Sequence, residues 1–118
     1  MKLITKDILT KMLNEASFDR QIKIIGRALV VLYNNQTASE QQTRTTTQSN
    51  NVGFASIDAR NGSLTARTFI RTGTMQSWQL AKWMEIRNGY PKICKYHRQL
   101  NQAAIDKAKT PKQLDLHY

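Results

Sequence analysis

Residues 18–34 read FDRQIKIIGRALVVLYN and contain the clearest structural pattern in the chain. Apolar side chains recur there every three or four positions, at Ile22, Ile25, Ala28, Leu29 and Leu32. Arg20, Lys23 and Arg27 lie off this stripe. Such spacing gives an α-helix one apolar face and one charged face. We predict a helix that ends at Asn34-Asn35 and packs its apolar face into the core.

Helical signals continue on both sides of this stretch. Thr5 is a suitable N-cap for a short first helix. Beyond a turn at residues 50–53, the apolar and small residues at positions 59, 62, 66, 69 and 70 predict a helix with a close-packed face. Gly62 on that face indicates tight packing, because glycine costs about 1 kcal/mol in a helix relative to alanine.

The C-terminal half predicts two more helices. Thr74 is a candidate cap for a helix reaching Asn88, with Gly89 as its C-terminal stop. The core face of that helix would carry Met75, Trp78, Ala81 and Met84. Pro91 suits the first turn of a last helix, which Thr110-Pro111 would end.

Residues 36–52 are rich in threonine, glutamine and asparagine and offer little to bury. Thr37 and Glu40 have the spacing of a capping box, so a helical turn is expected to begin there. The rest, around Arg44, predicts a polar loop.

Strand signals are weak throughout, and we therefore predict an all-α fold. The chain should form a single compact domain of four to six helices over residues 1–111, with a tail at 112–118. The predicted core comprises Ile22, Ile25, Leu29, Leu32, Phe54, Phe69, Trp78, Met84 and Leu100.

Several function classes find no support in the composition. Cys94 is the single cysteine, and His97 and His117 are the two histidines, so we expect no disulfide, metal or cofactor. Cys94 and His97 lie three positions apart on a predicted helix, but no orienting carboxylate or oxyanion hole accompanies them, and no enzyme is expected. Neither a leader nor a membrane span is recognisable, which favours a cytoplasmic protein with no membrane contact.

The charge distribution points to a polyanionic partner. The net charge is +10, from 18 basic and eight acidic residues. Residues 1–59 hold seven basic and five acidic side chains, whereas residues 60–118 hold eleven and three. A one-sided excess of this kind is typical of nucleic-acid binding.

Aromatic residues are interleaved with the basic ones in the C-terminal half. Cations that track phosphates and rings that stack on bases are the components of a single-stranded nucleic-acid site. Trp83 lies beside Lys82 and is the ring we predict to stack, whereas Trp78 is assigned to the core. The predicted nucleic-acid-binding residues are Arg44, Arg60, Arg67, Arg71, Lys82, Trp83, Arg87, Tyr90, Lys92, Lys95 and Arg98.

Two other functions stay open at this stage. Helices 75–88 and 91–108 would form a helix–turn–helix in a duplex-DNA regulator, with Lys92, Lys95 and Arg98 on the second helix. Alternatively, the chain binds a host protein and inhibits or redirects it. DNA and RNA are not distinguished, and a homo-oligomer is compatible with the sequence.

From Gln36 onward the sequence resembles a set of small phage-encoded proteins. The motifs that carry the likeness are Gln36-Thr37-Ala38-Ser39-Glu40-Gln41, Asn50-Asn51-Val52-Gly53-Phe54, Asp58-Ala59, Gln79 and Lys95-Tyr96-His97-Arg98-Gln99-Leu100. In size, charge and pattern the chain is similar to single-stranded-DNA-binding RNA polymerase cofactors of lytic phages. This resemblance implies binding of melted promoter DNA and recruitment of a phage RNA polymerase in the infected host cell. We expect the Gln36–Phe54 segment to fold against the Lys95–Leu100 segment.

Overall fold

The computed structural model describes residues 3–42 and 53–109. The predicted loop around Arg44 and the predicted tail at 112–118 lie outside the described residues. The elements in chain order are α1 (Lys6–Glu15), α2 (Phe18–Gln42), α3 (Ala59–Thr72), α4 (Ser77–Met84), β1 (Ile86–Arg87), β2 (Tyr90–Pro91), a 3-10 helix (Lys92–Tyr96) and α5 (His97–Lys109). The all-α prediction is confirmed, and the described residues add one minimal hairpin.

The first two helices follow from local chemistry. The hydroxyl of Thr5 accepts a hydrogen bond of 3.1 Å from the amide of Ile8 and caps α1 as predicted. The predicted end of α2 at Asn34-Asn35 is wrong, since the helix runs on to Gln42. Asparagine is only a weak helix former and does not by itself stop a helix. The hydroxyl of Thr37 donates to the Tyr33 carbonyl inside this helix and does not start a new one.

Helix α4 begins later and ends earlier than predicted. Its N-cap is Gln76, and the predicted cap Thr74 lies outside the helix. The Gln76 amide donates to Oε1 of Gln79 at 2.9 Å, one half of a reciprocal capping box. The helix stops at Met84, and its buried residues are Gln79, Leu80 and Trp83, whereas the predicted core residues Trp78 and Ala81 are exposed.

The residues after α4 form a β-hairpin that the prediction omitted. Ile86 pairs with Pro91 and Arg87 with Tyr90 in antiparallel register. The two turn residues both have left-handed backbone, with φ of 54° at Asn88 and 86° at Gly89. An Asn-Gly pair is the preferred sequence for such a two-residue turn. Gly89 is therefore a turn residue of the hairpin rather than the C-terminal stop of a helix.

The core lies between α2, α3, α4 and the 3-10 helix. Of the predicted core, Ile22, Ile25, Leu29, Leu32 and Phe54 are buried, while Phe69, Met84 and Leu100 are partly buried against them. Trp78 is a wrong assignment, because 53% of its surface is exposed. The fully buried indole is Trp83, on the face of α4 that also carries Gln79 and Leu80.

Two glycines allow close packing around α3: Gly26 of α2 lies against Phe69 of α3, and Gly62 of α3 lies against Phe54. A Cβ at Gly26 would overlap the ring of Phe69, and a Cβ at Gly62 would overlap the ring of Phe54. The close-packed face predicted for α3 is thus present, and its glycine is required for space.

Candidate nucleic-acid interface

A buried carboxylate organises the polar part of the structure. Asp58 is 1% exposed and precedes α3. Its Oδ1 lies 2.9 Å from the Lys92 ammonium, and its Oδ2 lies 2.5 Å from that of Lys95. The hydroxyl of Tyr96 donates to Oδ2 at 2.5 Å. We call Asp58, Lys92, Lys95 and Tyr96 the Asp58 cluster. A charge this deeply buried is tolerated because it is paired and hydrogen-bonded.

The titration of the cluster follows from these contacts. Burial by itself would raise the pKa of Asp58, but hydrogen bonds from Lys95, Tyr96 and Lys92 outweigh it and hold the pKa below its ordinary value. Burial and the neighbouring carboxylate raise the pKa of Tyr96. At neutral pH the cluster therefore contains an ionised carboxylate and a protonated phenol.

The motif residues that carry the sequence resemblance meet beside this cluster. The amide of Gly53 donates to Oε1 of Gln99 at 2.7 Å, and Nε2 of Gln99 donates back to the Gly53 carbonyl at 2.9 Å. The Phe54 amide donates to Oε1 of Gln36 at 3.2 Å. The contact expected between the two segments is therefore present at Gln36, Gly53, Phe54 and Gln99. Its role is structural: it fixes the chain that leads into α3.

Trp83 is a buried residue of the core, which overturns its assignment as a stacking ring. It is 0% exposed, and its indole nitrogen donates to Oδ1 of Asn61 at 2.9 Å. The rings of Phe54 and Tyr96 lie 5.9 and 6.4 Å from it, centroid to centroid. No face of this indole is available to a base.

The ammonium groups of Lys92 and Lys95, two of the predicted binding residues, form ion pairs with Asp58. The side chain of Lys92 is only 13% exposed, and that of Lys95 is 42% exposed. Tyr90 is half-buried under the ammonium of Lys6, 5.6 Å from its ring centroid. These residues line a small pocket and cannot form the open stacking surface that was predicted.

Helix α3 carries the most open set of predicted residues. Arg60, Arg67 and Arg71 are all exposed, with exposed Leu64 between the first two. Their spacing of four, three and four residues places them on one face of the helix. At 1.5 Å per residue the arginines span roughly 16 Å. Within the described residues, none of the three makes an ion pair.

Helix α4, which follows after residues 73–76, adds an aromatic ring and a further cation. Trp78 and Lys82 are exposed and lie one turn apart on the same face. The Trp78 indole nitrogen donates to Oε1 of Gln76 at 3.1 Å, which restrains the ring at the surface. We give the name α3–α4 basic surface to two exposed faces together, that of Arg60, Arg67 and Arg71 on α3 and that of Trp78 and Lys82 on α4. Sequence reasoning identified its cations but missed Trp78.

Two remaining predicted cations lie apart from that surface. Arg87 in β1 is exposed and forms an ion pair with Glu85. Arg98 in α5 is exposed and has no ion pair among the described residues. Arg44 lies outside the described residues.

The thiol and imidazole that the sequence placed three residues apart do not face one another. Cys94 is buried, and its sulfur lies 3.5 Å from the hydroxyl of Thr10. Burial raises the pKa of this thiol, so it is protonated at neutral pH. Nδ1 of His97 contacts the Cys94 carbonyl at 3.2 Å. The contacts of Cys94 and His97 are those of packed side chains and not those of a thiol–imidazole pair.

The described ranges hold neither a metal-binding cluster nor a membrane-spanning helix. Residues 3–42 and 53–109 contain no group of three or more histidine, cysteine, aspartate or glutamate side chains arranged to hold a metal. In the same part of the chain, no helix combines the length and apolarity needed to cross a bilayer. Comparison with protein-family models, curated proteins and solved structures finds no match.

Proposed function

We propose that this protein binds single-stranded nucleic acid through the α3–α4 basic surface, and that the nucleic acid is DNA. The observation that carries the proposal is the row of exposed arginines on one face of α3, unpaired within the described residues. An arginine that is not neutralised by a protein carboxylate can pair with a phosphate and release the cation condensed there, which is the main source of sequence-independent affinity for nucleic acid.

Trp78 supports a single strand over a duplex as the ligand. Its indole is 53% exposed on the face of α4 that also carries Lys82. An exposed ring next to cations stacks on unpaired bases, each stack contributing about 1–3 kcal/mol with little dependence on sequence. In a duplex the base faces are occupied by neighbouring base pairs, so this contribution would be lost.

The duplex-DNA alternative loses its main support. The predicted helix–turn–helix needed a short turn between two helices, but a hairpin and a 3-10 helix separate α4 from α5. Lys92 and Lys95, assigned to the groove, point their ammonium groups at Asp58.

A protein partner remains the second candidate because apolar side chains are exposed near the same arginines. Ile57, Leu64 and Ile70 are 84%, 44% and 56% exposed. Apolar side chains mixed with arginine are common at protein interfaces. If the sequence resemblance holds, this partner would be a phage RNA polymerase that the protein recruits to melted promoter DNA.

Charge-matched triple variants provide the test. Arg60→Gln, Arg67→Gln and Arg71→Gln together should weaken binding to a fluorescent 16-nucleotide thymidine strand by about tenfold or more. The control combines Arg20→Gln, Lys23→Gln and Arg27→Gln, which removes three exposed cations from one face of α2. The wild-type slope of log affinity against log salt should be roughly −2 to −3, and the α3 variant should show the smaller slope.

Three outcomes would contradict the proposal. Equal losses in the two triple variants would mean that net charge, not this surface, drives binding. Equal affinity for a duplex of the same length at every salt concentration would favour groove binding. A wild-type protein that binds no strand, but forms a nuclease-resistant complex with a purified polymerase, would favour the protein-partner function.

A further inference from the structure

A small pocket between α1, the hairpin and the 3-10 helix is lined by four cationic side chains. Its volume is about 60 Å³, and the cations are Lys6, Arg87, Lys92 and Lys95. Tyr90 and Pro91 of the hairpin complete much of its wall. None of these residues belongs to the α3–α4 basic surface. Holding one water requires about 10–15 Å³. The pocket thus has room for a small anion but not for a nucleoside.

The charges around the pocket favour an anion with two negative charges. Asp58 is shared by Lys92 and Lys95, and Glu85 pairs with Arg87. Among the residues that the structure describes, these two carboxylates leave two of the four positive charges uncompensated. Asp7 lines the neighbouring cavity and not this pocket. A phosphate monoester carries about 1.5 to 2 negative charges at pH 7, whereas an internal phosphodiester carries one.

Three of the cations are held in place before any ligand arrives. The ammonium groups of Lys6, Lys92 and Lys95 lie 5.6, 5.2 and 5.2 Å from the ring centroids of Tyr90, Trp83 and Tyr96, respectively. Fixed side chains lose less conformational entropy on binding than free ones, which raises affinity. Arg87 is in β1, directly before the tight Asn88-Gly89 turn. Its guanidinium can present two donors to a phosphate.

We propose that this pocket binds a phosphate monoester group. Two sources have this chemistry: the 5′ end of a nucleic-acid strand, and a free phosphate or small phosphorylated molecule. Only the first source rests on the proposed strand-binding function, since the affinity of the pocket for phosphate itself does not require it.

The first arm of the test uses inorganic phosphate. In ¹⁵N NMR titrations at constant ionic strength, phosphate should shift the amides of Arg87, Asn88 and Lys92, and an equal concentration of chloride should not. Lys6→Gln and Arg87→Gln should each weaken this response about tenfold, as expected for the loss of one charge-assisted hydrogen bond. The controls, Lys23→Gln and Arg20→Gln, remove exposed cations of the same types elsewhere and should leave it unchanged.

The second arm compares thymidine octamers with a 5′-phosphate and with a 5′-hydroxyl. A strand end in the pocket predicts roughly tenfold tighter binding of the phosphorylated octamer, and the preference should disappear in Lys6→Gln and Arg87→Gln. Phosphate-induced shifts without this preference would support the pocket and assign it to a small phosphate. Phosphate-induced shifts in a protein that binds neither octamer would also support the phosphate pocket. The same result would contradict the proposed strand-binding function. Absence of phosphate-induced shifts in the wild-type protein, or their persistence in both pocket variants, would overturn the proposal.

Discussion

The hydroxyl of Tyr96 donates a hydrogen bond of 2.5 Å to Oδ2 of Asp58 and accepts one of 3.0 Å from the amide of Ala55. One phenol thus connects the 3-10 helix both to the buried carboxylate and to the backbone that leads into α3. Both bonds are lost when the oxygen is removed, although the ring can keep its packing.

We therefore expect Tyr96→Phe to fold and to lose about 1–3 kcal/mol of unfolding free energy, the cost of leaving a buried polar group unsatisfied. Urea denaturation at neutral pH measures this change. Tyr33→Phe is the control, because the Tyr33 side chain makes no hydrogen bond within the described residues. Equal effects of the two substitutions would show that the hydroxyl of Tyr96 has no special role.

The Asp58 cluster predicts a dependence of stability on acid. The folded-state pKa of Asp58 is lower than normal, so its stabilising contribution is complete above the unfolded pKa of about 3.9 and is lost as pH falls through the folded value. Asp58→Asn should cost about 3 kcal/mol at pH 7, because it leaves two lysines without their counter-charge. It should also flatten the decline in stability below pH 4.

Urea denaturation at pH 7 and at several values below pH 4 provides this comparison. Glu15→Gln is the matched control, since Glu15 is exposed and forms no ion pair within the described residues. An Asp58→Asn variant that declines as steeply as wild type would locate the acid sensitivity elsewhere.

The two tryptophans should separate binding from stability. Trp78→Ala is expected to weaken strand binding by roughly 1–3 kcal/mol, because a stacking ring is lost, while the melting temperature changes little. Trp83→Ala is expected to cost about 3–5 kcal/mol of unfolding free energy, because a fully buried side chain is removed.

Fluorescence adds an independent check on Trp78. In a Trp83→Phe variant, the remaining indole should be quenched when a single strand binds. Unchanged fluorescence at saturation, together with unchanged affinity in Trp78→Ala, would remove this ring from the binding surface.

Gly62→Ala tests the close packing of α3 against the Phe54 ring. Alanine is the better helix former by about 1 kcal/mol, so a gain in stability would be expected on an open helix surface. Here the added methyl group would overlap the Phe54 ring, and we expect a net loss of roughly 1–3 kcal/mol from overpacking. Thermal denaturation measures this loss of stability, with Ser63→Ala, one residue further along the same helix, as the control. A more stable Gly62→Ala variant would contradict this packing.

Part of the fold could be predicted because it depends on neighbours in the chain. The stripe of Ile22, Ile25 and Leu29 predicted α2 and its buried face, since a period of 3.6 residues permits no other regular structure. The cap at Thr5 likewise needs only the next three residues. The Asn88-Gly89 pair also indicates a hairpin turn locally. The hairpin was missed because Gly89 was interpreted as the end of a helix.

The candidate site was less predictable because it depends on long-range contacts. Asp58 lies 34 and 37 positions before Lys92 and Lys95, and no local pattern links a lone aspartate to those lysines. The exposure of Trp78 was missed because its spacing from Met75 and Ala81 suited a buried face, whereas contacts with the rest of the chain bury Gln79, Leu80 and Trp83 instead.

The sequence by itself determined the helical class, the long apolar face of α2 and the excess of positive charge in the C-terminal half. Only the tertiary structure decided which cations remain exposed and which tryptophan is buried. The physical reason is that periodicity and capping act over one or two helical turns, whereas burial depends on which surfaces meet. Two lysines became partners of Asp58, and three arginines on α3 were left facing solvent.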